Sequence, residues 1–481
     1  QLLLTQPSKE PAMLSKQTFV PFLCLIFSIL ACQGFQQPFP PATTTSPATP
    51  IPASDDTTPT PISPASSAQP DDTNPFTDAR IAYIGQDRNI YIINSLTQER
   101  TAVTTNATPG NTDTNSQYYR YPTWSPNGDH LAYIGFRQND LFQNSTIYIT
   151  DANGLNSQSL YENNDNFPFY LYWSPNSQQL SFLAPHSPFS NEINLHLATI
   201  ATGQTDLLDV GQPYYWHWSP TDGPIITHTG GRDGQIAFLN PQTDDAPQPL
   251  TIPPALFQAP AWSPDGSQIL LAQQVDDRID LLLTDNNGTP LTTLTNLADG
   301  ALAFGWSPNG NHIAYTHTPN QDNTAIGNLY LINPLTPDPQ QLTIDPVISF
   351  FWSPDGQKLA YFTLTDSIFG FERQVETVPL KESLTSKPNQ QHDIYLQLNI
   401  YDVATQNTQQ LISFDPTTEY LNLLPYFDQY QHSLRLWSPD SRNFLISGYN
   451  DDDPMLWIVP ANGFTPPYAL ANGTIGAWSW Q

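Results

Sequence analysis

Cysteine is almost absent from this 481-residue chain: the two present are Cys24 and Cys32, so nothing beyond residue 32 can form a disulfide or a thiolate metal site. Basic residues are scarce as well, 15 Lys and Arg against 44 Asp and Glu, giving a formal charge of −29. That field repels a phosphate backbone and an anionic bilayer surface, which argues against nucleic-acid tracking and electrostatic membrane binding. Charged residues are only 12% of the chain, too few for a long coiled coil or helical array. Glutamate is nearly missing, 8 against 36 Asp, and Asp favours turns where Glu favours helix interiors. The longest apolar run, Phe19 to Ala31, has 13 residues, too short to span a bilayer comfortably.

What remains is rich in aromatics and turn formers. The 11 Trp, 22 Tyr and 24 Phe can bury a large core, and 48 Pro punctuate it. The composition predicts an all-β fold with many loops.

The first 78 residues read as address and tether. Met13 is the first methionine and the expected start, and Lys16 precedes the 13-residue apolar run, as in a signal peptide. The run ends in Ile29-Leu30-Ala31-Cys32, which resembles the bacterial lipobox. That resemblance implies cleavage before Cys32, lipid attached to its thiol, and a place in the bacterial cell envelope outside the cytoplasm. Residues 1–31 are thus expected to be upstream residues and signal peptide. Residues 32–78 would be the lipidated Cys and a disordered Pro/Thr/Ser-rich linker. Eleven of the 43 residues in 36–78 are Pro, a composition that cannot bury a core and that favours extended backbone. Such a tether can reach on the order of 100 Å.

From residue 79 to 481 the chain repeats itself. A Trp-Ser pair, usually followed by Pro-Asp/Asn-Gly, recurs at Trp124, Trp173, Trp218, Trp262, Trp306, Trp352, Trp437 and Trp478. The steps are 49, 45, 44, 44, 46, 85 and 41 residues. Ser-Pro-Asp-Gly matches a type I turn, with Ser first, Pro fixing φ second and Gly closing fourth. The Trp before it is expected to end an inner strand and fill the wedge between neighbouring sheets. Burying one such ring is worth about 4–6 kcal/mol gross. Segments such as Phe351-Trp-Ser-Pro-Asp-Gly-Gln-Lys-Leu-Ala-Tyr resemble the TolB-type, WD-repeat-like β-propeller family, and the resemblance covers essentially everything after the tether.

Eight Trp strands predict an eight-bladed propeller of four-stranded blades, more than the six-bladed ring that TolB is similar to. Residues 81–105 hold a blade without its Trp strand, and Thr474 to Trp480 hold a Trp strand without a blade. The N- and C-terminal strands are therefore expected to pair and close the ring. The 85-residue step predicts an insertion over about 365–393, between the second and third strands of one blade. It carries Glu372, Arg373, Glu376, Lys381, Glu382 and Lys387, and reads as a hairpin with a solvated tip or a contact arm.

Signatures of chemistry are missing. There is no Gly-x-Ser-x-Gly elbow, so the likeness to prolyl-oligopeptidase-type propellers stops short of their hydrolase domain; no phosphate loop and no His-Glu-x-x-His helix occur. The nine His are scattered, and no metal or other cofactor is expected. The best ligand constellation is the channel mouth, where residues just before each inner strand converge. Those are Tyr119, Arg120, Tyr121, Tyr170, Tyr172, Tyr214, Tyr215, Trp216, His217, Phe304, Phe350, His432 and Arg435. Arg120 and Arg435 stand out where cations are rare, and an aromatic funnel with two Arg suits a glycan or an anionic peptide end. Two functional classes follow. One is a lipid-anchored, monomeric, non-enzymatic scaffold for an envelope protein or glycan, meeting the membrane only through its anchor. The other is an extracytoplasmic hydrolase or lyase acting on glycans in the channel.

Overall fold

The computed structural model describes residues 79–108, 115–139, 143–187, 190–243, 245–319, 326–364 and 394–480. The expected signal segment, Cys32, the tether and the 365–393 insertion lie outside the described residues.

The described chain is an all-β propeller of seven sheets. Five are four-stranded antiparallel blades whose order in space follows their order in sequence. The blade of Trp173 is representative: Tyr170–Trp173 lies innermost, followed outward by Gln179–Pro185, Ile193–Thr199 and Thr205–Gly211. Burial falls in the same direction. Every residue of the inner strand is buried, and none of the outermost strand is. The sheet of Trp306 gains a fifth strand, because Leu256–Phe257 pairs in parallel with its inner strand Gly300–Trp306.

The expected count of eight blades is corrected to seven. The last two Trp positions feed one six-stranded sheet, because Tyr468–Trp478 is a single strand of 11 residues. Its first half pairs with Asp453–Pro460, and its second half runs on to pair with Arg80–Gly85. Trp437 adds only an isolated bridge to Phe444 rather than a strand of its own. The pairing of Ile81 with Trp478 joins the two ends of the described chain, as their complementary gaps predict.

The Trp-Ser-Pro turns form as their residues dictate. Gly266 N–H donates to Ser263 C=O at 2.9 Å, the first-to-fourth bond of the turn, with Gly266 at φ +70°. The Ser263 hydroxyl donates to Asp265 Oδ1 at 2.6 Å and accepts from Gln268 N–H at 2.9 Å. The Ser125, Ser174, Ser307, Ser353 and Ser438 hydroxyls each do the same with the Asn or Asp two residues on and the N–H five residues on. A short Asx side chain fits this loop and a Glu does not, so Asn or Asp stands at this position in all six copies. Seven of the eight repeat Trp are buried, Trp306 being half-buried.

Candidate functional site

The last blade is entered by an unusual route. After Phe414 the chain lies along Asn443–Asn450, with Thr417 N–H on Ser447 C=O and Tyr449 N–H on Asp415 C=O. It then turns inward as α1 (Thr418–Leu423), a 3-10 turn over Leu424–Tyr426, and α2 (Phe427–Tyr430). Thr417 caps α1 by accepting from Tyr420 N–H at 3.3 Å, and its hydroxyl also donates to Thr474 C=O. Tyr420, Leu424 and Phe427 are spaced four and three residues apart, so they fall on one buried face.

This segment occupies the middle of the ring. Gln429 takes both main-chain groups of Trp216: Oε1 accepts its N–H at 3.0 Å and Nε2 donates to its C=O at 3.0 Å. Tyr170 Oη donates to Gln429 C=O at 2.8 Å, and the Tyr430 ring meets Tyr170 edge-on at 4.8 Å. Phe427 packs on Phe350 at 4.6 Å and Phe351 at 6.1 Å. Gln258 Nε2 donates to Pro425 C=O at 3.1 Å, and Asp428 accepts from Ala259 N–H at 3.2 Å. His432 stacks on His217 at 3.9 Å and on Tyr172 at 5.7 Å. The plug thus touches inner residues of the Trp173, Trp218, Trp262 and Trp352 blades. It satisfies inner-edge N–H and C=O groups that would otherwise be open.

Burial disfavours the charged forms of Asp428, His432 and His217. Burial pushes the Asp428 carboxyl up to about 7, against the pull of N–H bonds from Ala259 and Gln429. Burial also lowers His432 to about 4 and holds His217 well below the ordinary imidazole range, with His432 beside it adding to the effect. His217 Nδ1 accepts from Trp262 N–H at 3.0 Å, which leaves the ring proton on Nε2.

The thirteen expected channel-mouth residues therefore divide. Tyr170, Tyr172, Trp216, His217, Phe350 and His432 come together against or within the plug. Tyr121 and Tyr215 are half-buried, and Phe304 stacks on Phe257 at 5.4 Å. Tyr214 is turned aside, its hydroxyl donating to Asp209 at 2.8 Å. Tyr119, in the sheet of Trp124, donates to Asn106 at 2.6 Å. The two Arg have separate aromatic seats: Arg120 lies exposed over Tyr118 at 5.3 Å, and Arg435 over Trp480 at 4.3 Å with Nη1 on Trp480 C=O at 3.1 Å. Burial lowers the Arg435 guanidinium to about 10.

Asp428 and Gln429, which anchor the plug, are not among the residues expected from sequence. The available signal was Thr417 followed by apolar residues at helical spacing in a chain otherwise patterned for strands. Among the described residues no group of three or more His, Cys, Asp or Glu is placed to hold a metal ion.

The TolB beta propeller domain family model matches residues 76–333, and the chain belongs to that family. Among solved structures it is similar to TolB from Acinetobacter baumannii, at 13% identity over 81% of this chain and 78% of that one, TM-score 0.36. It is also similar to an oligogalacturonate lyase in complex with manganese, at 14% identity over 83% and 85%, TM-score 0.41. A eukaryotic initiation factor aligns at 11% identity over 84% and 98%, TM-score 0.44. Likenesses at these identities concern the fold alone. Curated protein sequences give no match.

Proposed function

We propose that this chain is a lipid-anchored, extracytoplasmic β-propeller that works as a monomeric, non-enzymatic binding scaffold for an envelope protein or glycan. The observation that carries this reading is the plug. Phe427, Gln429 and His432 fill the space between inner strands where a channel enzyme would seat its substrate. The protonation states agree, since a neutral stacked His pair with one ring nitrogen held by a main-chain N–H is built for packing. The lipobox-like Ile29-Leu30-Ala31-Cys32 supports the anchor, and a TolB-type propeller suits the periplasmic side of an envelope.

Two measurements test it. Cys32→Ser should move the protein from the membrane to the soluble extracytoplasmic fraction, and a variant that stays membrane-bound removes the anchor. Purified protein should turn over neither glycans nor polyuronates with or without added divalent metal. Turnover would replace the scaffold with the channel enzyme.

A further inference from the structure

The sheet of Trp124 is taller than the sheet it faces. Its first three strands, Asn115–Trp124, His130–Asn139 and Gln143–Asp151, have 10, 10 and 9 residues. The facing strands Arg80–Gly85, Ile90–Asn94 and Arg100–Ala102 have 6, 5 and 3. The lower part of the shared interface is closed by Tyr119 and Tyr133 against Ala82, Ile90 and Ile92. Above it the taller sheet runs on past those shorter strands.

Register and pleat decide what that face presents. Gln117 pairs with Arg137 and Arg137 with Asn144; one step lower, Tyr119 pairs with Gly135, Gly135 with Thr146 and Thr146 with Glu162. Residues two apart share a face, so both rows point the same way. The result is a cleft of about 260 Å³ whose lining, among the described residues, comes from this one sheet. Gly135 forms its floor because a Cβ there would lie 2.9 Å from the rings of both Tyr119 and Tyr148.

The lining has hydrogen-bonding capacity to spare. The Arg137 guanidinium is exposed and makes no hydrogen bond or ion pair with another described residue, although ion pairs form elsewhere at Arg232–Asp299 and Arg278–Asp280. Glu162 spends only Oε1, on the Asn144 amide at 2.8 Å. Gln117 uses its amide nitrogen on Tyr119 Oη at 2.7 Å, leaving its carbonyl. One guanidinium fork, one carboxylate oxygen and one amide carbonyl therefore converge beside the Tyr148 ring. The two formal charges cancel, and the molecule carries −29 overall, so an anion gains nothing here. A neutral ligand rich in hydroxyls uses all of these groups: the Arg donates to hydroxyl oxygens, while Glu162 and Gln117 accept from hydroxyl hydrogens.

We propose that this overhang cleft is a carbohydrate subsite for a neutral sugar unit. The inference rests on the binding-scaffold reading for its glycan partner and is independent of the anchor. The test is titration of the full chain with soluble neutral oligosaccharides (gluco-, manno- and chito-oligosaccharides), with oligogalacturonate as the anionic counterpart. At least one neutral probe should bind, the anionic one should bind more weakly, and Arg137→Ala with Glu162→Gln should weaken neutral binding at least about tenfold. Both side chains are exposed, so the melting temperature should not move. The proposal is overturned if no neutral probe binds, if oligogalacturonate binds better, or if the double variant binds as wild type. Capture of envelope material, run in parallel, keeps the two readings apart. Equal capture by wild type and double variant removes the cleft and leaves the scaffold. Sugar binding without any capture from envelope removes the scaffold and leaves the cleft.

Discussion

Gln429 and Trp216 are joined as two strands would be, with the side-chain amide of one replacing a whole peptide unit beside the other. The pair is buried, so deleting the amide strands a main-chain N–H and C=O together. Gln429→Ala should cost about 2–5 kcal/mol, the sum of two unsatisfied buried groups. Urea unfolding measures it, and a loss under about 1 kcal/mol would mean water or a shifted plug satisfies the edge.

Asp428 makes the plug sensitive to pH with a definite sign. Its native value is about 7 against about 3.9 in the unfolded chain, so the native state binds more protons between them. Its contribution is fully present below about pH 4 and is lost as pH rises through 7. His432 acts oppositely, because its value falls to about 4: its contribution is present above about pH 6.5 and is lost as pH drops through 4. Asp428→Asn should therefore gain on the wild type as pH rises from 4 to 8, by on the order of 2–4 kcal/mol. Unfolding curves at pH 4, 6 and 8 decide this; a difference that stays constant across them contradicts it.

The repeat Trp are not energetically equal. Trp173 Nε1 donates across the blade boundary to Thr123 C=O at 3.0 Å, as Trp437 does to Phe351 C=O at 2.9 Å. Trp262 Nε1 is buried with no hydrogen-bond partner among the described residues. Trp173→Phe should thus cost about 1–2 kcal/mol more than Trp262→Phe, although the same ring area is trimmed. Chemical denaturation of the two variants side by side gives the comparison, and equal losses would leave area alone as the cause.

The Ser-Asx loop is worth testing at one copy. Ser263→Ala should cost about 1–2 kcal/mol by freeing Gln268 N–H and the Asp265 carboxylate. The Ser263 hydroxyl and the Ser267 N–H hold Asp265 below the ordinary carboxylate range. In the variant its titration, followed by carbon NMR, should move upward; an unmoved titration would exclude the hydroxyl as the cause.

Much of this was legible from sequence because the decisive interactions are local. Ser-Pro-Asp-Gly builds its turn from residues within five positions, and each copy carries its own Trp. The blade count was harder, since Asn472-Gly473 looks like a turn yet lies inside one strand. Gly473 is there for a different reason: a Cβ would sit 2.7 Å from Ile84 C=O, where the pairing with Arg80–Gly85 shifts register. The aromatic ring of the channel was also legible, but what it faces was not. Tyr170, Trp216 and Phe350 meet residues more than seventy positions away, and no periodicity encodes that meeting. Arg137 and Glu162 carry no motif of their own, because a cleft made by unequal strand lengths depends on two blades compared.

The pairing of Ile81 with Trp478 has a consequence for assembly. The first described strand stays without its inner partner until the last strand has been made and delivered. During synthesis, then, the ring keeps an open gap, with a hydrogen-bonding edge on each side that could recruit another chain. Closure depends on contacts between the far ends of the sequence, the kind that form slowly. For a chain made N-terminus first, the vulnerable interval ends only when Tyr468–Trp478 arrives.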